Sequence, residues 1–340
     1  MYLKTIVQGR LEFGTQKSYD KVTKMFLQRL ENYYKTDVFF KFEDIFNDED
    51  LSLEIPRHVS QVSDRAFRTT TSLLGYCAQF AIAGSIRAWL IDEGDIVHFE
   101  TLEPDSDKGA VQSFVRGRKL VKVRGKEGEA IEMLSQAIEK YDRHAQAYER
   151  RAKVSFLMKN YHDALRDYNK CINIDPTIPT AYYGKAKIHM LKEEWEEAIE
   201  NLEESIKKSI ALQSLYWKSR RLKSKCHIQL KEWQKAAFDL KLFTSRKFEN
   251  DNPNKPWHRW AFYHYGLVLL EMEDFIEASK AFDKAANLPE HKDGIEEADI
   301  LTNRGIAKQK SGKHGYVKDI KDAASKGGKK AKTILKTIKT

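Results

Sequence analysis

Apolar and small residues return along this chain at helical spacing, and from residue 111 onward the whole pattern repeats. Ala130, Ala164 and Ala198 stand 34 residues apart, each inside a like-patterned segment: GEAIEMLSQAI, YHDALRDYNKC and WEEAIENLEES. A period of that length predicts helix-turn-helix units, since two such helices cannot bury their apolar faces without a neighbour. Six units are read, at 111–144, 145–178, 179–212, then 217–250 with its register displaced by four residues, 259–292 and 298–331. The sixth keeps Gly305 and Ala324 but sets Val317 and Lys321 where a small and an apolar residue are expected. FENDNPNKPWHRW, with its prolines and polar turn formers, reads as a loop before the fifth unit. The end of the chain, KKAKTILKTIKT, places Ala331, Ile334, Leu335 and Ile338 on one stripe among lysines, which predicts a basic capping helix or tail over 332–340.

Residues 1–105 carry no such repeat. YLKTIVQGRLEF alternates as a strand, and SYDKVTKMFLQRLENYYK sets Val22, Met25, Phe26, Leu30 and Tyr33 on one side of a helix. DVFFKFEDIF and LSLEIP read as strands on either side of the acidic turn NDED. SDRAFRTTTSLLGYCAQF reads as a helix, and GSIRAWLIDEGDIVHFETL as a hairpin turned at Asp92, Glu93 and Gly94. Strand, helix, strand, strand, helix, strand is the order of a ferredoxin-like sandwich, extended here by one strand. The fold class expected is therefore a small α+β domain over 1–105 followed by an all-α solenoid over 111–331. The sandwich hosts enzymes, metal carriers, RNA binders and oligomerisation modules, so by itself it decides no function.

The repeats resemble the tetratricopeptide repeat family, most specifically at 145–178. Tyr148, Ala152, Tyr161, Ala164, Tyr168 and Pro176 stand where that family has its aromatic, small and proline positions. Cys171 takes a small-residue slot, and Arg151 departs from an apolar one. Residues 179–212 match through Tyr182, Ala186, Trp195, Ala198 and Leu202. The resemblance implies a non-catalytic superhelix that holds protein segments on its inner face, lined by the first helix of each unit at positions 2, 5, 9 and 12. Position 9 of the first four units is Lys119, Lys153, Lys187 and Lys225. Lys122, Lys218 and Arg221 add inward cations, with Glu149 the main opposing charge. Trp260 and Tyr263, inward in the fifth unit, either extend the groove as an aromatic anchor or belong to the core beneath the preceding loop. Members that hold the C-terminal carboxylate of heat-shock chaperones use Lys, Asn and Arg at places that here carry Val115, Lys119, Arg150, Thr180 and Gly184, so that clamp is not expected.

Charge sharpens the choice of partner. Residues 1–105 hold 12 Lys and Arg against 17 Asp and Glu, whereas 106–340 hold 47 against 33. A basic half draws an anionic partner, and lysines recurring in a concavity reinforce one another's field. The reading is a scaffold or adaptor whose groove binds an acidic protein segment. Nucleic acid bound through the basic half is the alternative, and a ligand sensor or enzyme in the N-terminal domain the third. No Walker, GxGxxG, GxSxG, HExxH or EF-hand pattern occurs, so neither catalytic residue nor cofactor is expected. The cluster Glu43, Asp44, Asp48, Glu49 and Asp50 lacks the alternation of a calcium loop and reads as a solvated turn. His258, His264, His291 and His314 lack metal-ligand spacing; Cys77, Cys171 and Cys226 suggest neither a disulfide framework nor a zinc site, and Cys171, in a small-residue slot, reads as a buried thiol. Without a signal pattern or an apolar run long enough to span a bilayer, the expected location is cytoplasmic.

Overall fold

A computed structural model describes residues 2–34 and 37–338. Its N-terminal elements are β1 (Tyr2–Glu12), α1 (Gln16–Arg29, running on as a π turn over Leu30–Tyr34), α2 (Phe42–Ile45), β2 (Phe46–Asn47), β3 (Ser52–Ser63), α3 (Asp64–Phe80), β4 (Ala83–Asp92) and β5 (Asp95–Leu102). The strands make one antiparallel sheet in the order β2-β3-β1-β4-β5. Its first four strands have the ferredoxin-like arrangement that the order of elements predicts, with β5 added beside β4. One face buries Val7, Leu11, Leu53, Ile86 and Leu90 against Val22, Phe26, Phe67, Leu74 and Cys77 of α1 and α3. Side-chain caps start both helices: Thr15 Oγ1 accepts from Ser18 N, and Ser63 Oγ from Ala66 N. β1 and β4 approach closely at Gly9, φ 144°, where a Cβ would lie 2.1 Å from the Ser85 carbonyl. Only glycine fits there.

Two expectations need correction. DVFFKFEDIF is not a strand along its length: after an extended 38–41 it makes the single helical turn α2 and the two-residue β2. Its apolar side chains pack on the core all the same, Phe40 and Ile45 buried and Val38, Phe39, Phe42 and Phe46 partly so, with Phe42 stacked on Phe46 at 4.7 Å and Phe40 edge-on to His58 at 4.9 Å. LSLEIP is the first half of a strand twice as long, because β3 carries Pro56 through a bulge between its pairings Gly9–Ile55 and Val7–His58. A bulged residue needs no N–H in the ladder.

The remaining described residues form helix pairs: α4/α5 (Gly109–Leu120, Glu127–Lys140), α6/α7 (Ala145–Leu157, Tyr161–Ile174), α8/α9 (Pro179–Leu191, Trp195–Lys208), α10/α11 (Ser214–Gln229, Trp233–Ser245), α12/α13 (His258–Glu271, Phe275–Ala286) and α14/α15 (Glu297–Lys310, Tyr316–Ser325). The small residues that set the period, Ala130, Ala164, Ala198, Ala236 and Ala278, are fully buried. In the sixth pair the buried stripe is Ile320 and Ala323 rather than Lys321 and Ala324, a shift of one residue that also leaves Val317 off the small-residue position. α16 (Lys329–Ile338) lays Ala331, Ile334, Leu335 and Ile338 against Leu301, Ile320 and Ala323, leaving its lysines outside. Residues 339 and 340 of the expected tail lie outside the described residues.

Arg151, the departure from an apolar position, makes a bidentate pair with Asp167 at 2.7 and 2.9 Å and donates to Ser135 Oγ. The same device joins Arg220 to Asp239 and Arg304 to Asp319, so alternate units pin their two helices by a guanidinium–carboxylate pair. All three cysteines are buried, and burial raises each thiol, Cys226 to about 12, which keeps them unreactive. A test of the packing lies at Gly184, where a Cβ would stand 2.1 Å from Tyr168 Cζ. Gly184→Ala is expected to overpack this contact at a cost of about 1–3 kcal/mol, read as a lowered melting temperature.

By its contacts the chain divides into two compact units, Met1–Ile188 and His189–Thr340. Among the described residues no helix is long and apolar enough to cross a membrane.

Candidate functional site

In the first compact unit, Lys119 and Lys122 near the end of α4 and Lys153 in the middle of α6 are exposed, and no carboxylate pairs with them among the described residues. Lys187 of α8 is half-buried, its ammonium 3.8 Å above the Phe156 ring. Burial lowers its pKa, and the charge of Lys153 lowers it further, so these two lysines share one surface and one repulsive field. Glu149, the expected opposing charge, is 5 % exposed and turned to Arg150 at 3.2 Å. The lysines are therefore left uncompensated by it.

What repeat logic alone misses is that the chain's own N-terminal domain occupies the inward positions before these lysines. Gln146 Oε1 accepts from Gly84 N at 3.1 Å, and Arg87 donates to the Thr177 carbonyl at 3.2 Å. Val115, Phe114, Arg118 and His144 close a small cleft with Ile82, Ala83, Gly84, Glu103 and Pro104. Arg118 pairs with Glu103 at 2.5 Å. The first exposed lysine past this contact is Lys119. Gly184 lies under Tyr168 and Val115 faces the sheet domain, so neither place has room for a clamp side chain.

Of the acidic cluster of the N-terminal domain, Asp48 and Asp50 are engaged in structure, while Glu43, Asp44 and Glu49 are exposed. Arg10, 9 % exposed at its side chain, holds Glu12, Asp50 and Glu54 together; Glu12 also accepts from Tyr141 at 2.7 Å, and Arg143 bridges Glu12 and Asp50. The hydrogen bond from Arg10 holds the Asp50 carboxyl below its usual range, and Asp48 accepts from Tyr19.

In the second compact unit, Lys218, Arg221 and Lys225 lie on α10. Arg221 stacks its guanidinium 3.8 Å over Trp257 and 5.5 Å from Trp260. Trp260 is 7 % exposed and lies 4.0 Å from His264, whose Nδ1 donates to the Trp260 carbonyl. Burial depresses His264 to about 4, with the charges of Lys225 and Arg221 adding to the effect. Tyr263 is half-buried and accepts from Asn303 at 3.3 Å. Of the two readings of these aromatics, the core is the one observed for Trp260; the more open ring is Trp257, fixed by Arg221. The surface here is a preorganised cation on an aromatic plate, suited to a carboxylate beside an apolar group.

Residues 145–178 match the tetratricopeptide repeat model. A curated relative from Schizosaccharomyces pombe, the DnaJ homolog subfamily C member 7 homolog, is 25 % identical over 144 residues, 38 % of this chain and 29 % of the relative. The chain thus spans under a third of that protein. Among solved structures, YrrB, a TPR protein with an unusual peptide-binding site, is similar with a TM-score of 0.50 and 19 % identity over 60 % of this chain and 97 % of its own. That likeness is one of fold.

Proposed function

The helical part of this chain being a tetratricopeptide-repeat array, a fold of protein-interaction scaffolds, we propose that its inner face binds an acidic segment of another protein. The observation that carries the reading is the field between Lys153 and Lys187, which no carboxylate neutralises among the described residues. An acidic peptide laid along these helices relieves that repulsion and gains on-rate from Lys119 and Lys122 of the same unit. In the second unit, taken by itself, Arg221 held flat on Trp257 is a second place for a carboxylate, with the ring beside it for an apolar side chain. YrrB, described by its peptide-binding site, has the same fold, so a peptide is a fitting occupant. The function proposed is binding.

Lys153→Glu with Lys187→Glu is expected to weaken the complex by about tenfold or more and to flatten its salt dependence, measured by titration of the bound segment at two ionic strengths. Unchanged affinity together with an unchanged salt slope would sink the groove reading.

A further inference from the structure

The two edges of the N-terminal sheet are built differently. On one side β2 covers only the start of β3, and past it the free stretch of β3 carries Pro56, which has no N–H to offer, and the charged Arg57. On the other side β5, DIVHFETL, has no proline, lysine or arginine. It pairs with β4 from Leu102 to Asp95, so its remaining backbone N–H and C=O groups point away from the sheet. Ile96, Val97 and Phe99 are 40, 53 and 49 % exposed. Phe99 is not loose: it stacks on the buried Trp89 ring at 5.3 Å and 24°. Apart from a bulge at Val97, between its pairings Leu90–His98 and Ile91–Ile96, β5 is an extended edge with exposed apolar residues, a template for one more strand.

Charge selects which strand. From residue 88 to 107 there is no lysine or arginine, against seven acids: Asp92, Glu93, Asp95, Glu100, Glu103, Asp105 and Asp107. Glu103 is paired with Arg118, but Asp92, Glu93 and Asp95 at the hairpin tip have no cationic partner among the described residues. A second copy of β5 would set like charges opposite one another, which destabilises cross-strand pairs. A basic strand meets the opposite sign along the same edge.

We propose that β5 is a docking edge for an extended basic segment of a partner protein. The segment adds as a sixth strand, its apolar side chains beside Val97 and Phe99 and its lysines or arginines beside the hairpin acids. This edge is distinct from the lysine groove and opposite to it in sign, so the inference stands apart from the function proposed above.

The test pans a displayed decapeptide library on the full chain, with Val97→Lys/Phe99→Lys as the counter-target. Selected sequences are expected to carry Lys or Arg among alternating Val, Ile, Phe or Tyr. A synthetic copy should protect the 95–102 amides from hydrogen exchange and bind the double variant about tenfold or more weakly, while the variant keeps the wild-type melting temperature and circular dichroism. The proposal is overturned by peptides that bind the variant equally, by protection confined to other segments, by a library yielding no basic sequence, or by concentration-dependent protection of 95–102 without peptide, which would make the occupant a second copy.

Discussion

Replacing Arg10 by Met is expected to destabilise the first compact unit by about 3–5 kcal/mol, measured by chemical denaturation at neutral pH. The side chain is buried on the face of β1 opposite the helices and holds three carboxylates, Glu12, Asp50 and Glu54. Burial opposes its charge, yet the hydrogen bond to Asp50 and the charges of Glu12 and Glu54 more than reverse this and raise its pKa. Removing the cation leaves Glu12, 3 % exposed at its side chain, with only Tyr141 and the longer contacts to Arg143. An uncompensated buried charge costs more than the pair contributed. Tyr141 and Arg143 belong to the link between the first two repeats, so the same substitution is expected to loosen the sheet domain from the solenoid. Hydrogen exchange at 141–147 would register this. A denaturation midpoint equal to wild type would show that the cluster is a surface feature without structural weight.

Acid should unfold the same unit through His144. The imidazole is 1 % exposed, lies 4.6 Å from the Phe114 ring, and neither nitrogen has a hydrogen-bond partner among the described residues. Burial depresses its pKa to about 3, against about 6.5 in the unfolded chain. Because the folded value is the lower one, the folded state prefers the neutral ring. Stability is fully present above pH 6.5 and is lost as the pH falls toward 3 while the unfolded chain takes up the proton. By pH 4 the loss amounts to roughly 3 kcal/mol from this residue alone. His144→Leu is expected to abolish that slope and to be neutral or stabilising at pH 7, since it removes a buried donor without an acceptor. A variant whose stability falls with pH as steeply as wild type would show that other groups govern acid unfolding. His264, held at about 4 mainly by burial, gives the second unit an acid sensitivity of the same sign.

The repeats were legible because small residues at a fixed period admit one packing solution: Ala130, Ala164 and Ala198 had to be buried where two helices touch, and they are. The sheet order was legible from the sequence of elements, but β2 was not. In DVFFKFEDIF every apolar side chain seeks the core, and an apolar run that short does not separate a strand from an extended segment with one helical turn. Pro56 ended the reading of β3 because a bulge cannot be seen without its partner strand. Arg151 looked like a flaw in the repeat, and its reason, Asp167 across the helix pair, lies sixteen residues on. The lysines of the candidate groove came from register alone. That the sheet domain would take up Gln146 and Val115 could not, since contacts such as Gln146 to Gly84 join residues far apart in the chain. The acid-rich edge of β5 was visible as a run of residues without Lys or Arg, but its place at the rim of the sheet was not.

The measurement that bears most directly on the groove is a pull-down from native lysate with the intact chain and with a Lys119/Lys153/Lys187/Lys225 to Glu variant, each with and without nuclease. The expected result is a protein partner that survives nuclease treatment on the wild type and is absent from the variant. A set of bound proteins unchanged by the four reversals, or bound material that disappears with nuclease, would contradict an acidic protein segment as the ligand of these repeats.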